Sequence, residues 1–222
     1  VPTQTQVLGA LDAVVGDDDV VINAAGSLPG DLHKLWRARG PRQYHLEYGY
    51  SCMGYEIPAG IGVQQAAPDT PVWALVGDGT YLMMPTEIVT AVQEGLPVNL
   101  LLIQNHGYAS IGGLSESVGG ERFGTAYRYR AADGTFSGAP LPVDLAANAA
   151  SLGMDVLRAK TVRELRQARA AACNVSVVST VVIRDAPRPP RGGGRTVRRR
   201  PDRPRAPPCG SAAGPRCPRR GS

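Results

Sequence analysis

Aromatic residues are scarce in this sequence, lysine is nearly absent, and no apolar run is long. Aromatics make up 5% of the 222 residues against 43% hydrophobic residues, which favours a helix-rich α/β core packed through small side chains over an aromatic-rich one. The longest apolar run, Val98–Ile103, is interrupted by Asn99 and falls far short of the ~20 residues that span a bilayer, so no membrane partner is expected. The opening Val1-Pro2-Thr3-Gln4 has neither the basic nor the apolar region of a signal peptide. It does not begin with Met, so the chain is expected to start partway through a longer protein. The four cysteines form no CxxC pair: Cys52 and Cys173 stand alone, and Cys209 and Cys217 lie near the C-terminus. That argues against a zinc site and for a reducing cytoplasm.

The formal charge of +5 conceals two unlike regions. Residues 184–222 hold 12 of the 24 basic residues but only Asp185 and Asp202 among the acids, whereas residues 1–183 carry 12 basic against 17 acidic residues, a net charge of −5. The alkaline pI therefore belongs to the C-terminal stretch, and a nucleic-acid partner is not expected from it. That stretch also holds nine Pro and six Gly and too few aliphatics to offset the entropy of ordering. It is expected to be a disordered tail. Its Arg/Pro/Gly/Ala bias is what G+C-rich DNA encodes out of frame, and frame-shifted sequence is the reading preferred here. The domain organisation expected is a globular 1–183 followed by the tail 184–222.

Within 1–183, apolar residues at Val7, Leu8, Leu11, Val14 and Val15 predict a helix over Thr5–Val15. A strand follows at Asp19–Ala24, a helix at Pro29–Arg37, a strand at Tyr44–Tyr48 and a small-residue helix at Gly54–Ala67. Next come a strand at Pro71–Val76, a helix at Pro85–Glu94 and a strand at Val98–Gln104. The stretch 108–140 reads as irregular, before a helix (143–151), a strand (154–159), a helix (161–172) and a strand (176–183). Strands alternating with helices imply a doubly wound parallel sheet with helices on both faces. Ligands of such sheets sit at the carboxyl ends of strands.

Two polar clusters fall at such ends: Gly77-Asp78-Gly79 and, after 25 residues, Asn105-His106-Gly107. A right-handed crossover would set them side by side. The Asp78 carboxylate, the Asn105 amide oxygen and a loop carbonyl would offer a cation three hard oxygens, the donor set magnesium shares with phosphate. Gly79 lets backbone approach phosphate, and the amides of Thr80 and Tyr81 can donate to an anion.

This spacing closely resembles the thiamine-diphosphate enzymes. The resemblance implies that Asp78, Asn105 and the carbonyl of Gly107 hold Mg2+, and that Gly77, Gly79, Thr80 and Asn105 contact the cofactor. One departure is visible, since the family's usual Asn-Asn pair is Gln104-Asn105 here. The run from Tyr50 to Gly62 resembles the acetolactate-synthase-like members, which implies that Met53 wedges between the cofactor rings and that the Ser51 carbonyl accepts from the aminopyrimidine. The stretches Ala24–Arg37 and His45–Glu56 are most similar to the trihydroxycyclohexane-1,2-dione hydrolases of inositol catabolism. That implies a cyclic dione substrate opened by carbon–carbon bond hydrolysis in a cytoplasmic homo-oligomer, dimer or tetramer. It also implies an activating glutamate supplied by an N-terminal domain of the partner subunit, so that this chain alone would hold half of a site.

Asp31 and His33 are candidate substrate contacts, with His33 and Lys34 equally readable as surface. His45 and Glu47 face either a cleft or solvent, and Ser27 either touches substrate or caps a helix. His106 is expected to contribute backbone, and Glu87 to complement a helix dipole. Three alternatives stay open: an acetolactate-synthase-like or other lyase or carboligase fragment, a non-enzymatic magnesium-phosphate binder, and an RNA-associated protein. The phosphate-loop signature is absent, and no aromatics interleave with the tail arginines for base stacking.

Overall fold

The computed structural model describes residues 2–172 and 179–184. Six strands form one parallel sheet in the order β2-β1-β3-β4-β6-β5. They are β1 (Val20–Asn23), β2 (Tyr44–Leu46), β3 (Val72–Gly77), β4 (Val98–Gln104), β5 (Asp155–Ala159) and β6 (Ser179–Arg184). The helices are α1 (Gln4–Asp12), α2 (Leu28–Leu35), α3 (Glu56–Ala66), α4 (Asp78–Tyr81), α5 (Glu87–Gln93), α6 (Ala109–Ser117), α7 (Leu145–Ser151) and α8 (Val162–Ala172).

Side-chain alternation along the central strands divides the core in two. Val72, Ala74 and Val76 of β3, with Val98, Leu100 and Leu102 of β4, pack against Ile57 and Ile61 of α3, Ile88 of α5 and Leu145 of α7. The intervening Trp73, Leu75, Leu101 and Ile103 pack against Val7, Leu8 and Leu11 of α1, Leu28 and Leu32 of α2 and Leu165 of α8. Helices thus cover both faces, and the central strands are buried throughout, as parallel strands must be. This is the doubly wound sheet that the alternation predicts.

Two differences bear on function. The GDG cluster is not simply a strand end, because Gly77 closes β3 and Asp78 opens the one-turn α4. The stretch 108–140, expected to be irregular, contains α6. The rest of it folds back on the loop after β4 through the isolated bridge Gly107–Ala126 and on itself through Arg128–Pro140. Glycine and serine fill α6 at Ser110, Gly112, Gly113, Ser115 and Ser117, and their low helix propensity hides it. The expected tail beyond Arg184 lies outside the described residues. Among the described residues no helix is long and apolar enough to cross a membrane.

Candidate functional site

β1 pairs with β2 on one side and β3 on the other, so the order in which strands are added across the sheet reverses at β1. Crevices open at such points. A cavity of about 480 Å³ lies there, lined by Ala25 to Leu28 after β1, Ser51 and Met53 before α3, Gly77 to Thr80 after β3, and residues of the loop after β4 and of α6.

The register Gly77–Ile103 between β3 and β4 makes Asp78 and Asn105 neighbours. Asp78 is 1% exposed. Its Oδ1 accepts from the Gly79 amide at 3.0 Å and its Oδ2 from the Gly107 amide at 3.1 Å. One arm of the Asn105 carboxamide lies 3.1 Å from Asp78 Oδ1 and 2.9 Å from the Gly107 carbonyl oxygen. With the amide nitrogen there, Asn105 donates to both. With the amide oxygen there, three oxygens converge at spacings near the ~3 Å edge of an octahedron whose ligands stand ~2.1 Å from a magnesium ion. Burial pushes the Asp78 carboxyl up to about 6, against the lowering effect of the Gly107 and Gly79 amides. A cation at this corner would supply the charge that burial denies it. The described residues contain no cluster of three His, Cys, Asp or Glu side chains, so the donor set here depends on amide and carbonyl oxygens. That set suits a hard cation such as magnesium.

Two glycines let the corner close. A Cβ on Gly107 would stand 2.2 Å from the Thr125 carbonyl oxygen, and one on Gly79 would stand 2.7 Å from the Tyr108 ring. The amides of Tyr108 and Tyr127 bond to the carbonyls of Thr125 and His106 at 2.8 and 3.0 Å. The segment after α6 therefore braces the loop. His106 takes a positive φ of 61°, an uncommon state for a residue with a side chain, held by that brace.

Across the cavity, Ser51 has a φ of 51°. Glu47 holds its turn, with Oε2 accepting from Cys52 N at 2.7 Å and Oε1 from Tyr50 N at 3.1 Å. These amides, Cys52 first, keep the Glu47 carboxyl below its ordinary range. Met53 follows, its Cε 3.4 Å from the Cβ position of Gly79, so the two motifs meet.

Ser51, Met53, Gly77, Asp78, Gly79, Thr80, Asn105 and Gly107 all line the cavity. Asp31 and His33 do not. Asp31 Oδ2 accepts from Gln4 Nε2 at 2.6 Å, and the His33 ring lies 6.0 Å from that of Tyr48. Both Gln4 and Tyr48 line the cavity, so these two residues stand one layer behind its wall. Ser27 makes no side-chain cap on α2 and donates to Gln4 Oε1 at 2.8 Å. His45 is exposed, with Nε2 3.1 Å from the Arg42 carbonyl. Gln4, Tyr48, Tyr108, Ile111 and Leu114 line the cavity without having been singled out. For Ile111 and Leu114 the i, i+3 spacing was a signal; nothing around Gln4 marks it.

Residues 24–183 match the family described as thiamine pyrophosphate enzyme, C-terminal TPP binding domain. The chain is 46% identical over 167 residues to the 3D-(3,5/4)-trihydroxycyclohexane-1,2-dione hydrolase of Clostridium tetani, covering 75% of this chain and 26% of that protein. It is 41% identical over 187 residues to 3D-(3,5/4)-trihydroxycyclohexane-1,2-dione hydrolase 2 of Bacillus cereus, covering 84% and 29%. The chain thus spans less than a third of the length of these relatives. Among solved structures, the Rhodococcus jostii RHA1 thiamine diphosphate-dependent 4-hydroxybenzoylformate decarboxylase superposes with a TM-score of 0.71 at 22% identity, over 82% of this chain and 32% of that one. At that identity the likeness speaks for the fold alone.

Proposed function

Since this chain belongs to the thiamine pyrophosphate enzymes, as a C-terminal cofactor-binding domain of that family, we propose that it is the part of a trihydroxycyclohexane-1,2-dione hydrolase that holds thiamine diphosphate through Mg2+. The observation that carries this reading is the convergence of Asp78, Asn105 and the Gly107 carbonyl on the cavity wall. The similarity to hydrolases of the cyclic dione supplies the substrate. The whole enzyme would hydrolyse a carbon–carbon bond of that ring in the cytoplasm, as a homo-oligomer.

Asp78, the Asn105 side chain and the Gly107 carbonyl would hold the magnesium ion. Gly79 and Thr80 line the same cavity; Gly79 would let the backbone approach the diphosphate, and the amides of Thr80 and Tyr81 would donate to it. Met53 and the Ser51 carbonyl would orient the rings, Ser51 being fixed by the two bonds Glu47 accepts. The cofactor, when bound, supplies the electron sink for breaking a bond next to a carbonyl. The protein's part is orientation and the exclusion of water. The glutamate that activates the cofactor is assigned to a segment outside this chain, on the partner subunit, so the 222-residue chain alone is expected to show no turnover.

Quenching of Trp36 and Trp73 fluorescence tests the binding claim. Thiamine diphosphate with magnesium should quench saturably, and ATP with magnesium should not. Equal quenching by both would leave a general magnesium-phosphate binder.

A further inference from the structure

The first residue of α3 is an acid sealed inside the protein. A glutamate in a helix's first turn ordinarily faces water and complements the dipole, yet Glu56 is 0% exposed. Its Oε1 accepts from the Ala25 amide at 3.1 Å, and its Oε2 has no hydrogen-bond partner. An acid so placed costs stability wherever an oxygen lacks a partner, so its place calls for an explanation.

Its neighbours are the two chain segments that wall one side of the cavity. Ala25, Gly26 and Ser27 form the turn from β1 into α2, and all three line the cavity. Ser51 and Met53, on the wall just before α3, belong to the segment that delivers Glu56. Glu56 itself is not on the wall and can reach an occupant only through this backbone. The turn it holds needs a tie, because Gly26 sits at a φ of 87° and glycine has more conformational freedom to lose than any other residue. Burial pushes the Glu56 carboxyl up to about 7, against the amides of Ala25, Ala24, Gly54 and its own residue. No charged side chain figures among these influences.

We propose that Glu56 is a positioning residue: by accepting from the Ala25 amide it fixes the β1–α2 turn as a wall of the cavity, coupled to the Met53 turn that leads into α3. The identity of the cavity's occupant rests on the functional reading above; the tie between Glu56 and Ala25 does not. What the turn needs is a buried acceptor, not a charge, so glutamine should replace Glu56 and alanine should not.

The test uses the full 222-residue chain with Glu56→Gln and Glu56→Ala, read by amide hydrogen exchange and by calorimetric titration of magnesium thiamine diphosphate. In the parent and Glu56→Gln the Ala25 amide should be equally protected, with cofactor affinities within about threefold of each other. In Glu56→Ala the Ala25 amide should exchange at least about tenfold faster while core amides such as Leu75 and Leu101 keep their protection. Cofactor affinity should fall at least about tenfold, because the competent turn is populated less. If Glu56→Ala does not fold, Glu56→Leu fills the volume without an acceptor and is read in the same way. The proposal is overturned if Ala25 stays protected without the acceptor, if protection is lost evenly across the core, if the turn loosens with affinity unchanged, or if Glu56→Gln behaves like Glu56→Ala. A parent that fails to bind thiamine diphosphate would sink the functional reading, and the exchange pattern would still decide whether Glu56 holds the turn.

Discussion

Asp78 and Glu56 are both carboxyl groups sealed from solvent, at 1% and 0% exposure, and burial raises both, to about 6 and about 7. Their surroundings differ. Asp78 has an amide on each oxygen, and one arm of the Asn105 carboxamide lies 3.1 Å from its Oδ1 and 2.9 Å from the Gly107 carbonyl oxygen. Glu56 makes one hydrogen bond, from the Ala25 amide, has the amides of Ala24, Gly54 and its own residue near it, and leaves Oε2 without a hydrogen bond. The first arrangement brings three oxygens together at a cavity wall and is suited to a cation. The second is suited to a proton. Burial alone therefore does not mark a candidate metal site; convergence of oxygens on a cavity does.

The largest effect that would break this contrast is at Asp78. Asp78→Ala should abolish magnesium-dependent thiamine diphosphate binding in calorimetry, a loss of at least about a hundredfold, while thermal unfolding stays cooperative with a change of about 1 kcal/mol. Binding like the parent's would remove Asp78 from the site.

Next in size is the pH dependence of Glu56. Its folded value of about 7 lies above the ordinary 4.5. The acid's contribution is therefore fully present below pH 4.5 and is lost as pH rises to about 7, because the unfolded chain releases its proton first. The parent should lose about 3 kcal/mol over that window relative to Glu56→Gln. Asp78 titrates in both proteins, so the difference isolates Glu56. Denaturant titrations from pH 4 to 8 read it, and parallel curves would mean that Glu56 is not raised.

Gly107→Ala should cost about 2 kcal/mol of stability, since its Cβ would stand 2.2 Å from the Thr125 carbonyl oxygen. It should also weaken magnesium binding, because the loop supplying the third oxygen must move. An unchanged melting temperature would mean that the brace from residues 125–127 is loose. The smallest effect is expected at His33. Its exposed ring lies outside the cavity wall, so His33→Ala should change stability by less than about 0.5 kcal/mol and leave cofactor affinity alone.

The same contrast explains what could be read from the sequence. β4 was legible to the residue because Pro97 and the polar Asn105 bracket an apolar run, and the doubly wound order followed from strands and helices in alternation. The meeting of Asp78 and Asn105 was legible because each directly follows a strand, and parallel pairing brings strand ends together whatever the rest of the chain does. α6 was not, because its glycines and serines suppress helix propensity and only tertiary contact with the 121–127 segment stabilises it. Gln4 was not, because its place on the wall depends on how α1 packs against α2, which no local pattern records. Asp31 lies behind the wall and reaches the cavity by holding Gln4, which depends on the same packing. Glu56 reads as an exposed first-turn acid until the packing of α3 against β1 buries it.

In the proposed site, Asp78, Asn105 and the Gly107 carbonyl share one magnesium ion with the cofactor's diphosphate. Two ligands change each other's affinity by the same factor, and a magnesium ion held between protein and diphosphate oxygens makes that change a rise. Magnesium affinity of the 222-residue chain, measured by calorimetry with and without saturating thiamine diphosphate and corrected for magnesium binding to the free cofactor, reads that factor directly. The account expects a rise of at least about tenfold, lost in Asp78→Ala. A magnesium affinity indifferent to thiamine diphosphate would contradict it.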